Sequence, residues 1–169
     1  MSTPETSSHT ISVLVDNEPG ILARVVGLFS GRGYNIESLT VAEVDRARGY
    51  SRINIVTTGT AQVIEQIKAL LDKLVPVHKV ADLTVEGPHV ERELALVKIT
   101  GDRENRVQAL RIADFMHARL VDSTTDSFVF EITGASNEVD AFIDLMEPLG
   151  LAEVSRAGVV AIARGSKGL

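Results

Sequence analysis

Apolar and polar positions along the chain change period several times, and the changes mark the elements. Thr10 to Asp16 alternates, with Ile11, Val13 and Val15 on one face, as a half-buried strand does. Asn17-Glu18-Pro19-Gly20 breaks the alternation, and from Ile21 the spacing turns helical through Leu22, Val25, Val26 and Phe29. Pro19 suits a helix entry because its missing N–H costs nothing there. Gly31 and Gly33 stop the helix. Ile36 to Val44 reads as extended, 45–49 as a turn, and Arg52 to Thr57 as a third strand. Thr60 can cap a second helix, whose stripe is Val63, Ile64, Ile67, Leu70, Leu71 and Leu74. Pro76 ends it, and Val77 to Val85 reads as a fourth strand.

The order β-α-β-β-α-β then recurs. Leu94 to Thr100 predicts a strand, Glu104 to Ala118 a helix, and Leu120 to Asp122 and Phe128 to Thr133 two strands around a polar turn. Val139, Phe142, Ile143, Met146 and Leu149 share a helical face, and Leu151 to Ala163 is extended with an interruption near Gly158. The pattern predicts an α+β chain of two tandem βαββαβ ferredoxin-like domains, each an antiparallel sheet with helices on one face. The expected divisions are a disordered tail at 1–8, a first domain at 9–85, a linker at 86–92, a second domain at 93–165 and a tail at 166–169. One face or edge of each sheet is left for a partner, so oligomerisation is expected.

Composition narrows the function. Of 169 residues, 44% are hydrophobic but only 4% aromatic, so the core must be aliphatic. The formal net charge of −6 argues against nucleic-acid or membrane-surface binding, which needs a basic face. Cysteine is absent, which excludes disulfides and thiolate metal sites. No apolar run approaches the ~20 residues of a membrane span, and the N-terminal stretch lacks a secretory core, so a cytoplasmic protein is expected. The topology is shared with RNA-binding RRM domains, and Arg48-Gly49-Tyr50 imitates the start of their binding strand. Arg52 and Ile55 stand where the later stacking aromatics belong, so no base platform is expected. The four histidines, His9, His78, His89 and His117, are scattered, and no catalytic or metal-binding constellation is expected.

A small-molecule site fits the first strand–helix junction better. A helix N-terminus presents unpaired N–H groups and positive partial charge, and Gly20 has no Cβ to keep a ligand away. A carboxylate could dock on the N–H groups of Gly20 and Ile21. Asn17 carries a donor and an acceptor on one side chain, matching a zwitterion, and Asn35 supplies another amide before the second strand. Two plainer roles stay open: Asn17 as a helix cap, and Asn35 as a turn residue at positive φ.

Asn17-Glu18-Pro19-Gly20-Ile21-Leu22, followed by Gly33-Tyr34-Asn35-Ile36, resembles the signature of the ACT domain, a regulatory module that binds amino acids. More closely, HTISVLVDNEPGILARVVGLFSGRGYNIESLTVA, VERELALVKI and SRAGVVAIARG resemble the small regulatory subunits of acetolactate synthase (acetohydroxyacid synthase), over His9 to Gly165. The resemblance implies an N-terminal ACT domain and a C-terminal ACT-like domain. It implies a chain that does no chemistry, activates a large catalytic subunit and confers feedback inhibition by a branched-chain amino acid, usually valine, in valine, isoleucine and leucine biosynthesis. The partner would use thiamine diphosphate, Mg2+ and FAD; none is expected on this chain. The resemblance also implies a homodimer with ACT domains side by side in one eight-stranded sheet and effector sites at the interface. Carried over by motif, the effector-binding residues are Asn17, Pro19, Gly20, Ile21, Leu22, Asn35 and Ile36, with Asn17 and the backbone at Gly20 and Ile21 from one chain and Asn35 from the other. Ile21, Leu22 and Leu39 would be apolar walls. The alternative is a stand-alone ACT-type amino-acid sensor acting on another enzyme or a transcription factor.

Overall fold

A computed structural model describes residues 4–169. The first six elements are β1 (Thr6–Asp16), α1 (Ile21–Ser30), β2 (Ser38–Asp45), β3 (Tyr50–Thr60), α2 (Ala61–Asp72) and β4 (Val77–Asp82). Their strands form one antiparallel sheet in the order β2-β3-β1-β4. The second series is β5 (His89–Ile99), α3 (Arg103–Phe115), β6 (Arg119–Ser123), β7 (Phe128–Gly134), α4 (Ser136–Met146), a 3-10 turn at Glu147–Leu149, β8 (Leu151–Arg156) and β9 (Val160–Ala163). Its order β6-β7-β5-β8 repeats the first with the same connections, as the two passes of the pattern predict.

Register explains the first core. Ile11 faces Ile55 and Val13 faces Ile53 across the β1–β3 ladder, so one strand face is aliphatic. Against it pack Ile21, Val25 and Phe29 of α1 and Ile64, Ile67 and Leu71 of α2, each at helical spacing. Thr60 caps α2 as expected, its side chain accepting from the Val63 N–H. The second core is Ala95, Val97 and Ile99 with Phe130, Val139, Phe142 and Met146. Phe130 sits edge-on to both Phe128 and Phe142.

The structure corrects the boundaries. Thr6, Ser7 and Ser8, expected in a disordered tail, extend β1 opposite Thr60, Gly59 and Thr58. Backbone pairing suffices there, although all three residues are exposed. Of the rest of that tail, residues 1–3 lie outside the described residues. β4 ends at Asp82 and not at Val85, because Asp82 turns the chain: its Oδ1 accepts from the Thr84 N–H and its carbonyl from the Glu86 N–H. β5 begins at His89, inside the expected linker.

The largest correction concerns the end of the chain. The compact units are 1–90 together with 159–169, and 91–158. After Gly158, at φ 92°, the chain leaves the second unit, where pattern placed everything to 165, and joins the first. β9 pairs with β5, and just beyond it the Arg164 N–H donates to the Pro88 carbonyl. Ala161 and Leu169 pack with Ala81 and Leu83. Thus the helix-free face of the first sheet, expected to await a partner, is partly covered by the chain itself. Ser12 at 0% and Asn54 at 6% exposure lie buried on that face.

Candidate functional site

The strand–helix junction is built by backbone bonds. The Asn17 N–H donates to the Gly49 carbonyl at 2.7 Å, and the Glu18 N–H to the Asp16 carbonyl at 2.9 Å. Gly20 then takes φ 86°, the left-handed region that glycine enters without a Cβ penalty. A Cβ built there would meet nothing within 4 Å, so the surface in front of it is open. The Ile21 N–H makes a long 3.4 Å bond to the Glu18 carbonyl. Among the described residues, the N–H groups of Gly20, Leu22 and Ala23 donate to no protein acceptor. The free donors are therefore Gly20, Leu22 and Ala23, with Ile21 partly engaged.

Neither plain role of the asparagines holds. No side chain caps α1, so Asn17 is not its cap. Its Nδ2 donates instead to Glu43 Oε2 on β2, at 2.8 Å. Asn35 does not lie at positive φ; among the described residues His117 is the only non-glycine that does. Its side chain is exposed, and Oδ1 makes only a 3.3 Å contact with the following Ile36 N–H. Pro19 and Leu22 are exposed beside the junction.

The apolar walls change. Ile21 is 6% exposed and belongs to the core, so it offers its backbone and not its side chain. Ile36 and Leu39 are half-buried and pack against the same core. Leu22 at 39% and Val41 at 42% remain available. Val41 shares a face of β2 with Glu43 by strand alternation. Sequence reasoning missed both Glu43 and Val41. Glu43 comes to Asn17 through a cross-strand neighbourhood, and local spacing carries no trace of it.

The chain does not bring its two asparagines together. Asn17 is anchored at Gly49, whereas the Asn35 carbonyl accepts from Thr57 Oγ1 at 2.8 Å. From Gly49 to Thr57 the extended backbone covers about 25 Å, at ~3.3 Å per residue. An amino acid a few ångströms long cannot touch both amides of one chain. Both lie along β2, however: Asn35 shortly before its start at Ser38, and Asn17 against Glu43 near its end. β2 is the edge of its sheet and exposes Val41 and Val44.

Elsewhere, His9 Nδ1 meets Asp82 Oδ2 at 2.7 Å, and Ser7 Oγ lies 2.9 Å from His9 Nε2. With His9 at 7% and Asp82 at 0% exposure, this pair fastens β1 to the end of β4. In the second unit Arg156 holds Glu93 through Nε at 2.6 Å and Nη2 at 2.9 Å, and Asp140 through Nη1. The Arg156 hydrogen bond keeps the Glu93 carboxyl below its ordinary range, burial opposing and Ser136 assisting. Arg156 is raised in turn, chiefly by its bond to Glu93. Among the described residues no three His, Cys, Asp or Glu side chains gather as a metal site, and no helix is long and apolar enough to cross a membrane.

Known proteins match this chain over nearly its whole length. The family described as AHAS small subunit-like ACT domain matches residues 11–79, and that described as small subunit of acetolactate synthase matches 92–165. The acetolactate synthase small subunit of Haemophilus influenzae is 44% identical over 160 residues, covering 94% of this chain and 97% of that protein. The acetolactate synthase isozyme 3 small subunit of Escherichia coli is 44% identical over 158 residues, covering 93% and 96%. The crystal structure of the acetolactate synthase small subunit from Thermotoga maritima aligns with TM-score 0.85 and 36% identity, over 95% of this chain and 99% of that one.

Proposed function

The chain belongs to the acetolactate synthase small-subunit family, and from that premise we propose that it is the non-catalytic regulatory subunit that activates the large catalytic subunit and makes it sensitive to a branched-chain amino acid, valine foremost. Thiamine diphosphate, Mg2+ and FAD belong on this proposal to the catalytic partner.

The observation that carries the effector reading is the separation of Asn17 from Asn35 along one edge strand. Antiparallel pairing of β2 with β2 of a second copy sets the start of one strand beside the end of the other. Asn35 of the partner subunit then approaches Asn17 and Glu43. The same pairing joins two four-stranded sheets into one of eight and covers the exposed edge. In the shared site, the ligand carboxylate takes the N–H groups of Gly20, Leu22 and Ala23, where the α1 N-terminus favours negative charge. Its ammonium takes Glu43 and the Asn17 Oδ1, and its isopropyl group meets Leu22 and Val41. Pro19 shapes the loop that presents these donors.

The test is reconstitution. Acetolactate formation by the catalytic subunit is measured alone, with this chain, and with chain plus valine. Activation by the chain and suppression by valine are expected; unchanged rates in both comparisons would refute the proposal.

A further inference from the structure

The first unit holds a cavity of about 490 Å³ between the helix-free side of its sheet and the final segment of the chain. Its lining includes four cations, Arg52 of β3, Lys79 of β4, Arg164 and Lys167, with Leu83 and Ile162 as apolar wall. Among the described residues none of the four touches a carboxylate, in a chain whose net charge is −6. The one side-chain carboxylate in the lining, Glu86, is already engaged by the Asp82 N–H at 2.9 Å and by Lys68 at 3.7 Å.

Arg52 is the fixed point of this cluster. Its Nε donates to Ser12 Oγ at 2.9 Å and its Nη2 to the Ala161 carbonyl at 2.7 Å. A guanidinium has five N–H donors, so most of its Nη edge is left without a protein acceptor. Burial lowers its pKa, which shows a charge partly removed from water with no counter-charge in place. Ser12 in turn donates to Asn54 Oδ1, and Asn54 to Thr40 Oγ1, so the arginine is held at its base by a buried polar chain. Lys79 is partly tethered, its Nζ donating to the Gly168 carbonyl at 3.3 Å. The side chains of Arg164 and Lys167 make no hydrogen bond or ion pair among the described residues. Tethered and untethered cations around an aliphatic wall are the complement of an oxyanion with a short apolar body.

We propose that this cavity binds a small organic oxyanion, a carboxylate or phosphomonoester with a short aliphatic body, and that its head group sits on Arg52, Lys79, Arg164 and Lys167. Because Arg52 also grips Ala161, the ligand strengthens the hold of the last segment on the sheet. The site lies on the face of the sheet opposite α1 and is separate from the Asn17 junction.

The experiment is an amide and methyl NMR titration of the full chain with butyrate, butyl phosphate, inorganic phosphate and uncharged butyramide. Butyrate or butyl phosphate is expected to shift Leu83, Ile162 and Gly165 saturably, and the tighter of the two identifies the head group. Butyramide is expected to leave them still. The double variant Arg164→Gln/Lys167→Gln, which removes no side-chain hydrogen bond or ion pair among the described residues, should weaken binding at least tenfold, while Asn17→Ala should not change it. Equal shifts with inorganic phosphate and the organic anions, no saturable shift at these residues, or an unaltered affinity in the double variant would each overturn the site.

Discussion

Replacing Gly20 by Asp should abolish valine inhibition and leave activation of the catalytic subunit largely intact. Gly20 sits at φ 86° before α1, with open space where a Cβ would point. Any side chain there pays ~1–2 kcal/mol for the left-handed conformation. Asn pays a similar cost, so Gly20→Asn is the control that isolates charge. The aspartate carboxylate would turn toward the free N–H groups of Leu22 and Ala23, gaining ~0.3–1 kcal/mol from the helix terminus. It would thereby occupy the donors meant for the effector and repel its carboxylate. One hydrogen bond to a charged group is worth ~1.5–3 kcal/mol, about ten- to a hundredfold in affinity. The half-inhibitory valine concentration of the reconstituted enzyme should rise at least tenfold further in the Asp variant than in the Asn variant. Thermal unfolding of the free chains should show the two equally stable within ~1 kcal/mol. An Asp variant with the valine sensitivity of the parent would place the carboxylate site elsewhere.

Four further outcomes follow. A ligand shared by two protomers must stabilise the dimer, by ~2.7 kcal/mol per site at a hundredfold excess over Kd; sedimentation at low protein concentration should show dissociation suppressed by valine, and an unchanged equilibrium would count against sharing. Glu93 has a depressed folded pKa, so its stabilisation is present above the unfolded value near ~4.3 and is lost as pH falls through the folded one. Glu93→Gln should accordingly cost ~1–3 kcal/mol at pH 7 and less at pH 3, and denaturant midpoints equally lowered at both would remove the ion pair as the cause. Gly27 lies mid-helix with open space at its missing Cβ, so Gly27→Ala should stabilise by ~0.5–1 kcal/mol. Gly101→Ala should destabilise strongly, since a Cβ there collides with the Leu149 carbonyl; calorimetric melting temperatures check both signs.

The repeated fold was legible because each helix and central strand buries one face with its own period, as Val25 and Phe29 or Ile11 and Val13 show. The end of the chain was not legible for a converse reason. Val160 to Ala163 has a strand pattern, but a pattern names no partner, and the half-buried polar groups that receive it sit far off in sequence. Thr40 Oγ1 donates to the Val159 carbonyl, the Val159 N–H to Ser38 Oγ, and Arg52 to the Ala161 carbonyl. Ser12, Thr40 and Asn54 read as solvent-facing because alternation assigns them to the polar face, and only the returning segment makes that face interior. At the candidate site, the asparagines and Gly20 were legible from type and position. Ile21 was misread as a wall because a helix's first residue can face either way, and only packing places it at 6% exposure. Glu43 needed the β2 neighbourhood, which no local motif encodes.

The central claim is that one effector site takes Asn17 from one chain and Asn35 from another, because about 25 Å of β3 separates them within a chain. Chains carrying Asn17→Ala and Asn35→Ala should each lose valine inhibition in the reconstituted enzyme. Mixed, they form heterodimers in which one of the two sites lacks both amides and the other keeps both. Partial valine sensitivity should then return, scaling with the heterodimer fraction measured by native mass spectrometry and limited by one intact site in each. A site formed within a single chain gives no rescue, since every site still lacks one amide. Loss of inhibition in both variants, with confirmed heterodimers and no recovery on mixing, would contradict the shared site.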